Sequence, residues 1–127
     1  HIDIPHNIFT ELDAINSPWK QSEIASGLYP SKRSSKITFI KQDSIIYKFC
    51  LHWVNSINED NFKFDLYPFF DKKKIQYSHY DVSDHYCWHM DVISRPPQRK
   101  LSFTLMLNDD YEGGEFEIGR YSFGEWQ

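Results

Sequence analysis

The hydrophobic period of this chain changes once, and that change bounds what it can fold into. From Ser44 to Asn58, Ile45, Ile46, Phe49, Cys50, Trp53, Val54 and Ile57 recur at the spacing of one wide helical face. After Asn61 the period falls to two. Phe62, Phe64 and Leu66 alternate with Lys63 and Asp65, as on a half-buried strand ending near Pro68. A helix with such a stripe needs a sheet or other helices to cover it. Helices followed by strands predict an α+β or mostly-β domain in which helices buttress one sheet.

The same two periods place the remaining elements. Ile8, Leu12 and Ile15 predict a short helix from Ile8 to Asn16, closed by Pro18-Trp19. Asp43 or Ser44 is the expected cap of the main helix, accepting a hydrogen bond from a free backbone N–H. Gly27 to Ser35, with Pro30 and three serines, reads as loop. Further strands are expected at Lys74–Tyr80, His85–Asp91, Arg99–Leu107 and Gly114–Ile118. A loop holding Arg95-Pro96-Pro97 and a turn at Asn108–Gly113 separate them, because tandem prolines cannot join a ladder. In the fourth strand Leu101, Phe103, Leu105 and Leu107 share one face, and Ser102, Thr104 and Met106 the other. Arg120 to Gln127 reads as an aromatic loop.

With 127 residues the chain suits one domain with a modest core, and 40% hydrophobic and 17% aromatic content excludes compositional disorder. The net charge of −4 argues against a nucleic-acid surface, so Lys72-Lys73-Lys74 reads as a solvated edge or turn. Two cysteines, Cys50 and Cys87, do not make a disulfide scaffold, so a reducing, cytoplasmic setting is expected. No apolar run approaches the ~18 residues of a membrane span, and no signal-peptide core is seen. Oligomeric state is not legible.

Residues two apart on a strand point to the same side. His89 and Asp91 therefore project together while Trp88 and Met90 face away. An imidazole nitrogen and a carboxylate oxygen on one face form two corners of a 2-His-1-carboxylate site, the design of non-haem iron(II) oxygenases. Taken alone, a His-x-Asp more often describes a buried histidine bonded to a neighbouring carboxylate.

The order of the surrounding residues narrows the choice. Tyr77, then Tyr86-Cys87-Trp88-His89-Met90-Asp91, then Arg99 to Asn108, then Tyr111-Glu112-Gly113-Gly114-Glu115 follow at compact spacing. Over roughly Ile75 to Ile118 this resembles the prolyl 4-hydroxylase branch of the 2-oxoglutarate/iron(II) oxygenases. The resemblance implies a double-stranded β-helix (jelly roll) with N-terminal supporting helices. It implies iron(II) on His89 and Asp91, 2-oxoglutarate as co-substrate and O2 as oxidant, with ascorbate as a further expected cofactor. The implied reaction hydroxylates a peptide or small-molecule substrate, a peptidyl proline being the best-known target, and releases succinate and CO2. Tyr77 stands where relatives often bind 2-oxoglutarate, and a core aromatic is its equal alternative. Met106 stands where some relatives have a second co-substrate tyrosine, and would serve as an apolar wall. Thr104 and Ser102 share its face as pocket residues. Gly113-Gly114 reads as a tight turn, Glu115 and Glu117 as solvated charges, and His79 and His85 as loop histidines. Cys87 shares the face of His89, where iron-catalysed oxidation is conceivable.

The family pattern also requires a later histidine and a basic partner for the co-substrate's far carboxylate. No histidine follows His89. The expectation is a single oxygenase-like domain whose jelly roll lacks its last strands here because the sequence is incomplete at its C-terminus. The alternatives are a ligand from a partner chain, a non-catalytic jelly-roll binding module that has lost the triad, and a cupin-like protein using another metal.

Overall fold

The structure is a computed structural model that describes residues 2–15, 18–24, 27–66, 75–91 and 99–127. Helix α1 spans His6–Asp13 and buries Ile8 and Leu12; helix α2 spans Ile45–Ile57 and buries Ile46, Tyr47 and Cys50. Both lie within two residues of their expected starts. Ser44 is the cap of α2, its hydroxyl accepting from the Tyr47 N–H at 3.1 Å. The next two free amides are taken by another helix. Glu11 of α1 accepts from the Ile45 and Ile46 N–H groups, each at 3.0 Å. A carboxylate there satisfies orphan donors and meets the positive end of the helix dipole. One side chain thus sets how α1 sits against α2.

Strands β1 (Lys20–Gln21), β2 (Lys36–Ile40) and β3 (Ile75–His79) form an antiparallel sheet in that order. Its register runs from Lys36 opposite His79 to Ile40 opposite Ile75. The third element agrees with the expected Lys74–Tyr80 strand. β2 had no place in the sequence reading, although Ile37, Thr38 and Ile40 are the β-branched residues a covered strand favours. Ile37, Thr38 and Ile40 are buried. Ile40 joins Ile8, Leu12, Ile46, Tyr47 and Cys50 in the core, with Phe9, Phe49, Ile75, Tyr77, Leu105 and Leu107 packed around it. Each fully buried aliphatic side chain contributes on the order of 1.5–3 kcal/mol relative to exposure. The helical stripe is covered only along its middle, since Ile45 and Ile57 at its ends remain exposed.

Several expected strands are differently built. Asn58–Phe62 continues α2 as a π-helix, so the strand expected over Phe62 to Pro68 does not begin there. Lys63 adopts φ 55°, and its N–H reaches back to the Asn58 carbonyl at 2.6 Å. The buried Asn58 amide then donates to the Phe64 carbonyl at 2.9 Å and accepts from its N–H at 3.0 Å. Phe62 and Phe64 stack at 5.8 Å across the left-handed residue. Their period of two reflects a ring stack at a helix end rather than a strand face. The end of that expected strand, near Pro68, lies outside the described residues, as do Lys72-Lys73-Lys74 and Arg95-Pro96-Pro97.

Within His85–Asp91 only Tyr86 makes a β-bridge, to Arg33. Arg99–Leu107 and Gly114–Ile118 belong to no strand. Their alternation is partly realised in burial: Leu101, Leu105 and Leu107 are half-buried while Ser102, Thr104 and Met106 are exposed. Phe103 departs from it, being 41% exposed. The described residues are therefore a mixed arrangement of helices and small antiparallel sheets, compatible with an α+β fold. Arg120–Gln127 is corrected from loop to hairpin. β4 (Tyr121–Ser122) pairs with β5 (Glu125–Trp126) across Phe123 and Gly124, at φ 52° and 83°. Two positive-φ residues in a two-residue turn match the twist of a tight hairpin.

Two outcomes follow from the helix pair. Glu11→Ala should lower unfolding free energy by about 1–2 kcal/mol, the range for losing a good helix cap, read by urea denaturation. Burial raises the Cys50 thiol above its ordinary 9.0 and the Tyr47 phenol above 10.0. The folded state thus favours the protonated forms. Their contribution is fully present below those ordinary values and is lost as pH rises through the raised ones. Thermal midpoints should therefore fall as pH climbs above about 9, less steeply in Cys50→Ala at equal starting stability.

Candidate functional site

The loop from Gly27 to Ser35 is where the site begins. Lys32 and Arg33 N–H groups both return to the Tyr29 carbonyl, at 2.9 and 3.0 Å, closing a turn behind Pro30. The turn presents its outer edge to residues 85–87. Ser34 donates its N–H to the His85 carbonyl at 3.0 Å, and Cys87 donates its N–H to the Lys32 carbonyl at 2.8 Å. His85 closes the seam with its side chain. Its Nε2 faces the Ser31 carbonyl at 3.0 Å, which only accepts, so Nε2 carries the proton. The Ser34 hydroxyl can then donate to Nδ1 at 3.2 Å. His85, expected to be an exposed loop histidine, is exposed and also fastens this seam.

Directly after this seam come His89 and Asp91. The His89 Nδ1 lies 2.9 Å from the Cys87 carbonyl, so Nδ1 is the protonated nitrogen. In the neutral ring this leaves Nε2 with its lone pair, and the Asp91 carboxylate oxygen Oδ1 stands 3.3 Å from it. Two electron-pair donors facing one another attract a shared cation, a proton or a metal ion. Both side chains remain open to solvent, at 41% and 49% exposure. The pairing predicted from strand parity is present although the segment joins no extended ladder. Among the described residues no group of three or more His, Cys, Asp or Glu could hold a metal. The pair fits two corners of an iron(II) site by donor chemistry, with no third protein ligand beside it among the described residues.

A second His-x-Asp, unnoticed in the sequence, lies at His79 and Asp81. Its ring nitrogen is 2.9 Å from the carboxylate, but Lys36 Nζ is also on that carboxylate at 3.4 Å. The His79 hydrogen bond, its charge and then Lys36 hold the Asp81 carboxyl below the usual range. The pair is already neutralised by protein cations, which sets it apart from His89 and Asp91.

The other expected site residues are scattered. Tyr77 sits on β3, half-buried against the core, with the Trp19 ring 5.0 Å away. Burial raises its phenol, and the Asp13 charge adds to that. Met106, Thr104 and Ser102 are exposed. None of these four lines the cleft beside His89. That cleft, about 240 Å³, is lined by Ile24, Lys32, Tyr86, Cys87, Trp88, His89 and Met90. Cys87 is exposed there, its thiol 3.7 Å from the Ser31 carbonyl. Gly113 and Gly114 adopt φ 75° and 69°, as a tight turn requires.

Two neighbours of the pair, Tyr86 and Arg33, had no role in the sequence reading. Tyr86 stacks on the His89 ring with centroids 3.7 Å apart and planes 13° from parallel. Burial raises its phenol, with Arg33 working against that and Asp91 adding to it. Arg33 places its guanidinium carbon 4.5 Å from the Tyr86 ring centre. Trp88, expected from strand parity to face away, lines the cleft with His89 and Met90 because the segment is not a strand, and it meets Trp126 of β5 at 5.2 Å, seating the hairpin. A Cβ on Gly119 would come within 2.7 Å of the Trp88 ring, so only glycine allows that close approach. Nothing local in the sequence pointed to Arg33.

No curated protein and no solved structure matches the chain. Residues 75–124, from the start of β3 to the turn of the terminal hairpin, match the family described as the 2OG-Fe(II) oxygenase superfamily, and the matched segment contains both His89 and Asp91.

Proposed function

We infer that the chain carries part of an iron(II)- and 2-oxoglutarate-dependent dioxygenase site, with His89 and Asp91 as two of the metal's ligands. The observation that carries this reading is the convergence of His89 Nε2 and Asp91 Oδ1 at 3.3 Å within the segment that matches the oxygenase family. The Cys87 carbonyl fixes the tautomer in which Nε2 is the free donor, as outer partners of metal-bound histidines commonly do. Asp91 supplies the negative charge that a divalent ion requires. Iron(II) held there would supply the activation of O2, one oxygen atom going to succinate as 2-oxoglutarate loses CO2 and the other to the hydroxylated substrate.

The chain's own residues shape what lies beside the pair. Trp88, Met90 and Tyr86 give the cleft apolar walls, and Lys32 adds an ammonium where a dicarboxylate co-substrate would approach. The finer parts of the reading are prolyl 4-hydroxylase-like specificity for a peptide, a jelly-roll domain, ascorbate as accessory reductant and a cytoplasmic setting. The first three rest on the order of Tyr77, His89, Asp91, Leu107-Asn108 and Gly113-Gly114, and the last on a chain with only two cysteines, Cys50 and Cys87.

Addition of iron(II) and 2-oxoglutarate without oxygen should produce a visible charge-transfer band, and oxygen should then release succinate. Excess chelator should abolish both. His89→Ala and Asp91→Ala should each reduce the band and succinate to background while the far-ultraviolet circular dichroism is unchanged. A band that survives His89→Ala, or none in the parent chain, overturns the assignment; ligand binding indifferent to chelator supports a non-catalytic binding module instead.

A further inference from the structure

Arg33 is only 7% exposed, and its hydrogen-bond partners among the described residues are uncharged. Its Nε donates to Ser35 Oγ at 3.2 Å, Nη2 to Gln76 Oε1 at 3.2 Å and Nη1 to the Glu23 carbonyl at 3.4 Å. Ser35 donates in turn to Ser22 Oγ at 2.9 Å, and both serines are fully buried. These contacts anchor the guanidinium to the end of β1, the start of β2 and β3. The Tyr86 ring lies over it at 4.5 Å, and the backbones of Arg33 and Tyr86 are joined by a β-bridge. The His89 ring covers Tyr86 at 3.7 Å, too close for both neighbours to share one face. The order is guanidinium, phenol, imidazole.

We propose that Arg33 and Tyr86 are positioning residues for the His89 imidazole, setting the plane in which its Nε2 meets Asp91. The hydrogen bond from Nδ1 to the Cys87 carbonyl fixes one direction in the ring but leaves rotation about that bond. A parallel ring at 3.7 Å removes the rotation. Direction and plane together hold Nε2 on the Asp91 side. The Tyr86 ring would itself be free to turn on an exposed segment, and the sheet-anchored guanidinium fixes it through its π-face. Arg33 lies outside residues 75–124, so the N-terminal half of the chain orients a group in the matched segment. The consequence for metal binding rests on the iron reading; the orientation of the ring does not.

The test uses the full chain with Tyr86→Phe, Tyr86→Leu and Arg33→Lys. In the metal-free protein, nuclear magnetic resonance of the His89 ring protons should show an upfield ring-current shift. Tyr86→Phe should retain it, Tyr86→Leu should abolish it, and Arg33→Lys, which keeps the charge but not the planar fork, should diminish it. Anaerobic titration with iron(II) should give affinity near that of the parent for Tyr86→Phe and about tenfold weaker for Tyr86→Leu, the scale of losing an outer partner of a metal ligand. His89 resonances indifferent to Tyr86→Leu overturn the positioning role. So does iron affinity unchanged in Tyr86→Leu while the parent binds. A parent chain that shows the ring-current shift, loses it in Tyr86→Leu and binds no iron overturns the iron reading and supports the stack. If Arg33→Lys fails to fold, the two Tyr86 variants decide the matter, since Tyr86 is 36% exposed and outside the core.

Discussion

A buried guanidinium joins the two parts of this structure that matter for its chemistry. Taking Arg33 out of water is costly unless its donors are met, and Ser35, Gln76 and the Glu23 carbonyl meet them. Those acceptors come from β3 and from the chain beside β1 and β2, so the charge fixes the near end of the sheet. Its remaining face takes the Tyr86 ring, and through it the segment of His89. The seam between residues 31–34 and 85–87 repeats this connection in backbone and side-chain hydrogen bonds.

The helical side of the molecule rests on a similar economy. Glu11 closes the N-terminus of α2 from α1, so the two helices are joined by charge and dipole as well as by Ile8, Leu12, Ile46 and Cys50. β2 and β3 add Ile40, Ile75 and Tyr77 to the same cluster. Tyr77 accordingly serves as a packing aromatic here, whatever else its hydroxyl does. Leu105 and Leu107 reach this cluster from a segment outside any ladder, which shows that their spacing encodes a face rather than a pairing.

Both helices were legible because an apolar stripe at three and four residues has few other physical meanings, and Ser44 marked its start. β3 was legible for the same kind of reason. The run at Phe62 and Phe64 was misread because a period of two also fits a ring stack across a left-handed residue, which Asn58 stabilises from inside the helix end. β2 was missed because its five residues stand between a serine-rich turn and a helix, and only its partner strands make it a strand. The hairpin at the end was missed because Phe123 takes a positive φ that its side chain does not advertise.

The sequence by itself determined the helical faces, the polarity of the apolar alternation at Leu101, Leu105 and Leu107, and the same-side projection of His89 and Asp91. Each depends only on local periodicity, a property of consecutive residues. Tertiary structure decided which nitrogen of His89 is free, which cation lies behind Tyr86, and which of the two His-x-Asp pairs is already neutralised by a lysine. The first turns on the Cys87 carbonyl, two residues from His89 but aimed at it only by the fold; the other two depend on Arg33 and Lys36, far off in sequence, and spacing along the chain carries no record of such contacts.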